Sequence, residues 1–529
     1  MDATAIYAIT AGGIFAALFL TRTLRYLAKR SKLFSILVSR HLILPFMVDR
    51  HQLWGPWTRI SVLLHVSYAT INIFLTFFRM KSWAGAGRRA GELALVNLIF
   101  LLSAIHLSYL ADLAGITCRT CRRIHRAVGW MTVALVSFHI VVEVQAKQFS
   151  FPLHSMQNLF TLIGASSLGV LSLLSIPWFR HFSYEIFLRG HQILTALFVY
   201  GIWRHIPTRS QPSKIYLLVA LGIFGLTLVL QTMTLFYRNG LFAGHGFPRA
   251  VVSFSANKTN EEHPVITAAH IRILLPRPLK VEAGQYINLW MPSVSLSSWM
   301  QTHPFTVVSW SRDRQDTIEL LLQPRGGLSA DLVGYAPAAK ENSISFLALF
   351  TGPHGMVKDV SLYESVLVVT SGFGIAAAIP YLKKMICGYN TCTSQVRRLH
   401  LVWEVKSVVE MAVAKTLLNN LLEDDIMDNG YILQISIYVR DGLEPNRLPF
   451  GEHDRVCLYQ GLPDYQNIVS LEASGGQIKR LPNVWDKQGR TLVMVSAADA
   501  VRDHIRKIVR GHLHQGVKLF ELEYQPCAD

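Results

Sequence analysis

Long apolar runs fill the first 240 residues of the chain and then stop. Seven stretches, at about 3–20, 58–78, 92–114, 125–146, 159–179, 184–203 and 216–237, approach the roughly 20 residues a helix needs to cross a bilayer. They predict an α-helical transmembrane bundle of about seven spans. After residue 248 the pattern changes. Short β-like runs (AVVSF, ITAAHIRILL, YINLWM, FTVVSW, TIELLLQ, ISFLALF) alternate with turn residues and predict a small β-barrel. From residue 365, apolar strands are each followed by a helical pattern. Examples are SVLVVTSGFGIAAAIPYLKKM and TLVMVSAADAVRDHIRKIVRG, and they predict an α/β domain with a parallel sheet. The Gly-, Pro-, Asp- and Asn-rich stretch at 441–490 reads as a long insertion.

Two of the apolar stretches share a feature. HRAVGWMTVALVSFH (125–139) and HQILTALFVYGIWRH (191–205) each begin and end in histidine, fourteen residues apart. Fourteen residues rise about 21 Å along an α-helix and end about 40° short of four full turns. The histidines of each stretch therefore share a face, one near each membrane surface. One antiparallel span separates the two stretches, so they run in the same direction. His125 then stands level with His191, and His139 with His205. A polar side chain in a span needs a reason. Interhelical hydrogen bonding would suffice for one histidine. Two matched pairs predict two stacked bis-imidazole sites, and imidazole is a common axial ligand of haem iron. His65 and His106 also lie in apolar stretches. His51 and His65 repeat the spacing, but Pro56 between them prevents one regular helix.

Composition agrees with a membrane protein: 51% of residues are hydrophobic and 16% charged. The net charge of +17 reads as cytosolic loops facing anionic lipid rather than as nucleic-acid binding, for which no motif is present. The first run opens with Asp2 and is followed by basic residues. It reads as a signal anchor with 21–57 in the cytosol. Seven crossings then place everything after Tyr237 there too. The basic loop 79–89 falls on the outer side and opposes this orientation. Six scattered cysteines make a disulfide framework unexpected, and the lone Cys118–Cys121 CxxC reads as ordinary loop cysteines.

The soluble part carries AGQYINLWMPS at 283–293, HPFT at 303–306, GPHG at 352–355 and SGFGIAAAIPYL at 371–382. Alone, HPFTVVS could be a half-buried strand. In SGFGIAAAIPYL, a Gly-rich turn joins an apolar strand to a helix. Gly372 and Gly374 would let a phosphate approach, and Ala377 would allow close helix–strand packing. Together with the histidine spans, these motifs make the chain resemble the fungal ferric reductase family, relatives of the NADPH oxidases, from about residue 90 to the end.

The resemblance implies a haem-binding bundle at 58–240 after an N-terminal segment at 1–57. It also implies an FAD-binding barrel at 248–356 and a ferredoxin-reductase-like NAD(P)-binding domain at 360–529. By the same analogy, His303, Pro304, Phe305 and Thr306 line the flavin, and Arg325, Gly326 and Gly327 meet its phosphates. Gly352 and Gly355 of GPHG are cofactor residues. Lys406 either meets the 2′-phosphate of NADPH or is a solvated lysine. The implied activity carries electrons from cytosolic NADPH through FAD and two b-type haems, held by His125/His191 and His139/His205, to ferric or cupric chelates across the bilayer. The plasma membrane is the expected site, with a vacuolar or other internal membrane as the alternative. Superoxide formation and a redox step of a specialised biosynthetic pathway are the alternative activities, and a pseudoenzyme is the alternative class. No oligomeric state is implied. Two departures touch the nicotinamide end. Ser496, Ala497 and Ala498 stand where the family carries Cys-Gly-Pro, and the chain closes on EYQPCAD rather than an aromatic residue.

Overall fold

The computed structural model describes residues 32–523, apart from 52–54, 105, 147–154, 183, 207–210, 245, 258–264, 296–297, 339–342, 427–430, 443–454 and 479–488. The expected first span at 3–20 lies outside the described residues. The helices of the bundle are α1 (Arg59–Phe77), α2 (Trp83–Ser103), α3 (Leu107–Ala114), α4 (Cys118–Ala146), α5 (Met156–Leu174), α6 (Tyr184–His205) and α7 (Gln211–Arg238). Five are long and apolar enough to cross a membrane, or six if α2 and α3 count as one broken span. The chain is therefore an integral membrane protein.

The stretch expected at 92–114 is corrected. Its helix starts at Trp83, capped by the Ser82 hydroxyl, which accepts from the Gly85 amide at 3.1 Å. The chain then turns by 101° into the short helix α3. Arg88 and Arg89, expected in a loop, lie inside α2. Glycine permits close packing here: a Cβ on Gly87 would stand 2.8 Å from Val142 of α4, and one on Gly201 of α6 would stand 2.7 Å from Gly164 of α5. So α4 packs mainly on α2, and α6 mainly on α5.

The barrel comprises β1 (Arg249–Asn257), β2 (Val265–Leu279), β3 (Tyr286–Trp290), β4 (His303–Thr306), β5 (Gln315–Leu322), helix α8 (Leu328–Gly334), β6 (Ser343–Leu347) and β7 (Leu349–His354). One antiparallel sheet has the order β5-β2-β1-β6 and the other β4-β3-β7. A bridge between Val307 and Leu320 joins them. Ile271, Ile273, Ile287, Leu289 and Ile318 fill the space between the sheets.

The last domain holds β8 (Ser365–Ser371), α9 (Ile375–Asn390), β9 (Arg398–Val405), α10 (Lys415–Asp424), β10 (Leu433–Val439), β11 (Val456–Gln460), α11 (Tyr465–Ser474), β12 (Thr491–Ser496), α12 (Asp499–His512) and β13 (Lys518–Glu521). Its sheet is parallel throughout, in the order β11-β10-β9-β8-β12-β13. The stretch expected as an insertion contributes the edge strand β11 and helix α11 to this fold. Strand order reverses between β8 and β12, and ligands bind outside the carboxyl ends of strands at such a point.

Three sets of contacts join the domains. Asn239, just after α7, pairs with the Phe350 backbone as a strand would, accepting from its amide at 2.9 Å and donating to its carbonyl at 2.8 Å. Asp112 of α3 accepts from His354 Nδ1 at 2.7 Å and from the Gly355 amide at 2.9 Å. The segment before α1 is docked on α12: Arg50 bridges Asp499 and Asp503, and Arg506 donates to the Ile43 carbonyl at 3.0 Å. Both nucleotide-type domains thus sit at the end of the bundle where α4 begins.

Candidate functional site

The four expected histidines are brought together as pairs, at two levels of the bundle. The rings of His125 and His191 stand 6.2 Å apart between centroids, and those of His139 and His205 also 6.2 Å. An imidazole nitrogen binds a metal at about 2 Å, so two axial rings would have centroids about 6 Å apart. The observed separations match that requirement. The histidine helices α4 and α6 make little direct backbone contact with each other, which leaves a slot between them.

The His139/His205 pair is oriented by other helices. His139 Nδ1 lies 3.0 Å from the Gly87 carbonyl of α2, which can only accept. This nitrogen therefore carries the proton, and Nε2 carries the lone pair. His205 Nδ1 lies 2.9 Å from the Thr161 hydroxyl of α5. That hydroxyl already donates to the Gln157 carbonyl at 2.8 Å, so it accepts from His205. Such outer hydrogen bonds fix the tautomer of metal-binding histidines. Sequence spacing could not reveal Gly87 or Thr161, because both come from other helices. In the His125/His191 pair, Nδ1 of each ring is buried without a hydrogen-bond partner. The decoys differ: His65 Nδ1 stands 2.6 Å from the carbonyl of Ser61, one turn back on its own helix. Among the described residues no group of three or more His, Cys, Asp or Glu forms a metal site, so the paired imidazoles are the metal-binding candidates.

In the barrel, β4 is the HPFT strand itself and pairs with β3, with Phe305 opposite Ile287 and Pro304 opposite Asn288. His303 Nε2 stands 3.1 Å from Gln301 Oε1. Thr306 is buried, and its hydroxyl donates to the Glu523 carbonyl at 3.4 Å. The chain thus brings the segment after β13 to the threonine of HPFT. Arg325 is exposed, and Gly326 and Gly327 have open space where a side chain would stand. GPHG faces the membrane helices. The Gly355 amide is held by Asp112, and a Cβ there would press on the Tyr286 ring at 3.3 Å. Tyr286 of the GQY strand is buried against Ala111, Cys118 and Cys121, and burial raises its phenol above the ordinary range. Cys121 is a free thiol, so the two cysteines do not bond to each other.

In the α/β domain the Gly-rich turn lies at the switch point. Gly372 adopts φ +52°, and its carbonyl accepts from Trp403 Nε1 at 2.9 Å. Gly374 packs directly on the Ser496 carbonyl at the end of β12, where no larger residue fits. Ala377 is buried at the start of α9. Ser496 is itself buried, with a hydroxyl that has no partner, and the Ala498 amide donates to Ser371 Oγ at 2.6 Å. The departure from Cys-Gly-Pro thus borders the Gly-rich turn. Lys406 is exposed, and its amide donates to Glu410 Oε2 at 2.8 Å. Sequence reading missed Glu410, whose other oxygen lies 2.8 Å from where a Cβ on Gly372 would stand.

Comparison with known proteins follows the same order of domains. Residues 90–202 match the ferric reductase like transmembrane component family, 259–358 an FAD-binding domain, and 363–443 the ferric reductase NAD binding domain. Ferric reductase transmembrane component 3 of Saccharomyces cerevisiae is 24% identical over 382 residues, covering 68% of this chain and 49% of the yeast protein. Ferric/cupric reductase transmembrane component 1 of Candida albicans is 22% identical over 66% of this chain and 42% of its own length. The chain spans about half the length of the curated relatives it matches. The solved flavohemoglobin of Malassezia yamatoensis aligns over 83% of this chain and 95% of its own at 14% identity, with a TM-score of 0.36. The resemblance read from the motifs is thus borne out, and with it a chain that has FAD- and NAD(P)-binding domains.

Proposed function

We propose that this member of the fungal ferric reductase group is a transmembrane flavocytochrome. It passes electrons from cytosolic NADPH, through FAD and two b-type haems, to ferric or cupric chelates on the far side. The observation that carries the reading is the pair of facing imidazole couples, 6.2 Å apart at each level. When bound, the flavin supplies hydride acceptance and one-electron delivery, and the haem irons supply single-electron steps.

The chain's own residues do the positioning. His125 and His191 would hold the inner haem, and His139 and His205 the outer one, with Gly87 and Thr161 turning Nε2 of the outer pair to the iron. His303, Pro304, Phe305 and Thr306 would hold the flavin ring, and Arg325, Gly326 and Gly327 its phosphates. Gly352 and Gly355 would let the backbone turn tightly beside that site while the membrane helices close on it. Gly372, Gly374 and Ala377 would seat the dinucleotide at the mouth of β8, with Lys406 beside its 2′-phosphate. Asp112 and Asn239 hold the barrel against the inner end of the bundle. The two nucleotide domains share that end, which supports an outer haem facing away from the cytosol. The plasma membrane suits an external metal substrate.

The test uses purified protein in lipid nanodiscs. NADPH should reduce bound haem, seen by its absorbance. His205→Ala should lose about half the haem while His303 and Thr306 keep the flavin. Full haem content in His205→Ala would overturn the assignment. Impermeant ferric chelate reduced by intact cells places the enzyme at the surface, and reduction of permeant acceptors alone places it on an internal membrane.

A further inference from the structure

The basic segment at the outer end opposes the usual rule that positive charge stays inside. At the bundle end bearing His139 and His205, the described residues of 77–92, 139–146, 155–160, 203–206 and 211–216 carry six Lys or Arg but only Glu92 and Glu143 as acids. Arg88 and Arg89 are not loop residues. They sit in α2 immediately after Gly87, whose carbonyl orients His139. Arg88 is also three residues before Gly91, whose Cβ would touch the His139 ring at 3.4 Å, so both flank one strip of helix surface. Arg204 precedes His205 and lies over the Phe160 ring at 4.9 Å. That ring stands between Gln157 and Thr161, which bond the His205 carbonyl and imidazole. Arg88 and Arg204 are exposed. Each outer histidine is thus accompanied by exposed guanidinium at the end of the bundle away from the nucleotide domains.

We propose that this cationic mouth selects an anionic metal chelate as electron acceptor, with Arg88, Arg89 and Arg204 as the docking residues. The inference rests on the flavocytochrome reading and narrows its substrate class. In the step itself one electron, supplied by NADPH through the haems, converts a bound Fe³⁺ chelate to the Fe²⁺ chelate. No bond to the protein forms, and no proton is required. Guanidinium suits the carboxylates of such a chelate, because its donors match them in pairs. The field of several like charges at a mouth raises encounter rates and is weakened by salt.

The test separates this proposal from the reading beneath it. Haems of the full protein in nanodiscs are reduced with dithionite, and reoxidation is followed with ferric citrate (anionic) or hexaammineruthenium(III) (cationic). Ferric citrate should react about tenfold faster at low than at high salt, and the ruthenium complex should show the opposite trend. R88Q/R89Q/R204Q should remove both trends, and the corresponding triple lysine variant should restore most of them. Binding of redox-inert gallium(III) citrate, measured by calorimetry, should fall in the glutamine variant in parallel. Equal, salt-independent rates for both acceptors would overturn the proposal and leave the flavocytochrome standing. Loss of outer haem absorbance in the glutamine variant would also overturn it, assigning the arginines to the haem instead. Reoxidation by neither acceptor would instead sink the flavocytochrome reading.

Discussion

On the proposed flavocytochrome reading, replacing Asp112 with Asn should uncouple the flavin from the haems without removing either. Asp112 lies on α3 and is the membrane domain's hydrogen-bond link to GPHG. Its two oxygens accept from His354 Nδ1 at 2.7 Å and from the Gly355 amide at 2.9 Å. A chain of bonds continues behind it: His354 Nε2 meets the Thr351 hydroxyl at 3.1 Å, and Thr351 accepts from Asn288 at 3.2 Å. Asn288 also donates to Ser108 of α3 at 3.3 Å. Asparagine keeps one acceptor, but its amide group must face one of the two donors. One charge-assisted bond is lost and one donor is left opposed at a partly exposed site, a cost of about 2 kcal/mol. The undocked fraction then rises by roughly thirtyfold before other contacts share the load. The Asn239–Phe350 pairing will share it, so a fall of about tenfold in haem reduction by the flavin is expected. Stopped-flow absorbance resolves the two steps. Flavin bleaching by NADPH should keep its wild-type rate, while the haem signal lags. Haem reduction at the wild-type rate would refute the argument that this contact sets the geometry of transfer. Slowed flavin bleaching would show that GPHG serves the flavin site directly.

Three further outcomes follow from the α/β domain. Ser496→Cys, which places there the thiol of the family the chain resembles, should change the rate of flavin reduction with little effect on nucleotide binding, whereas Ser496→Ala, which removes an unpartnered hydroxyl, should leave stability within about 1 kcal/mol of wild type; stopped-flow bleaching and thermal melts read the two. Lys406→Ala should raise KM for NADPH several-fold and leave KM for NADH unchanged, and an equal change for both would make Lys406 a solvated residue. Glu472 is 2% exposed. Burial would raise its carboxyl, but bonds from His400 and Arg398 hold it down at about 2. Its folded value lies below the unfolded one of about 4.3, so the stability it contributes is present above that pH and lost as pH falls towards 2. Glu472→Ala should cost about 3–5 kcal/mol and flatten stability between pH 5 and 2, as followed by chemical denaturation. A retained acid slope would place its source elsewhere.

What could be read from the sequence, and what could not, divides along a physical line. The histidine pairs were legible because a helix converts a spacing of fourteen into a shared face, whatever surrounds it. HPFT and the Gly-rich turn stood out because each is a run of consecutive residues, and they fall on a strand and at the switch point of the parallel sheet. Gly87, Thr161, Asp112 and Glu410 were not, since each acts on a residue of another element and no periodicity links the partners. The start of α2 was misread for a related reason. Arg88, Arg89 and Glu92 lower the apolar signal of its first turns, so those turns resembled a loop, yet the Ser82 cap and the small residues 84–87 let the helix begin at Trp83 and pack against α4. The charges that obscured the helix belong to the one bundle end that the topology rule could not explain. A span boundary drawn by hydropathy alone at 92 leaves both Gly87 and Arg88 in a loop, apart from His139. Keeping them on one helix turns an exception to the rule into a reason for it: positive charge is tolerated at the outer surface where an anionic acceptor must reach a buried electron carrier.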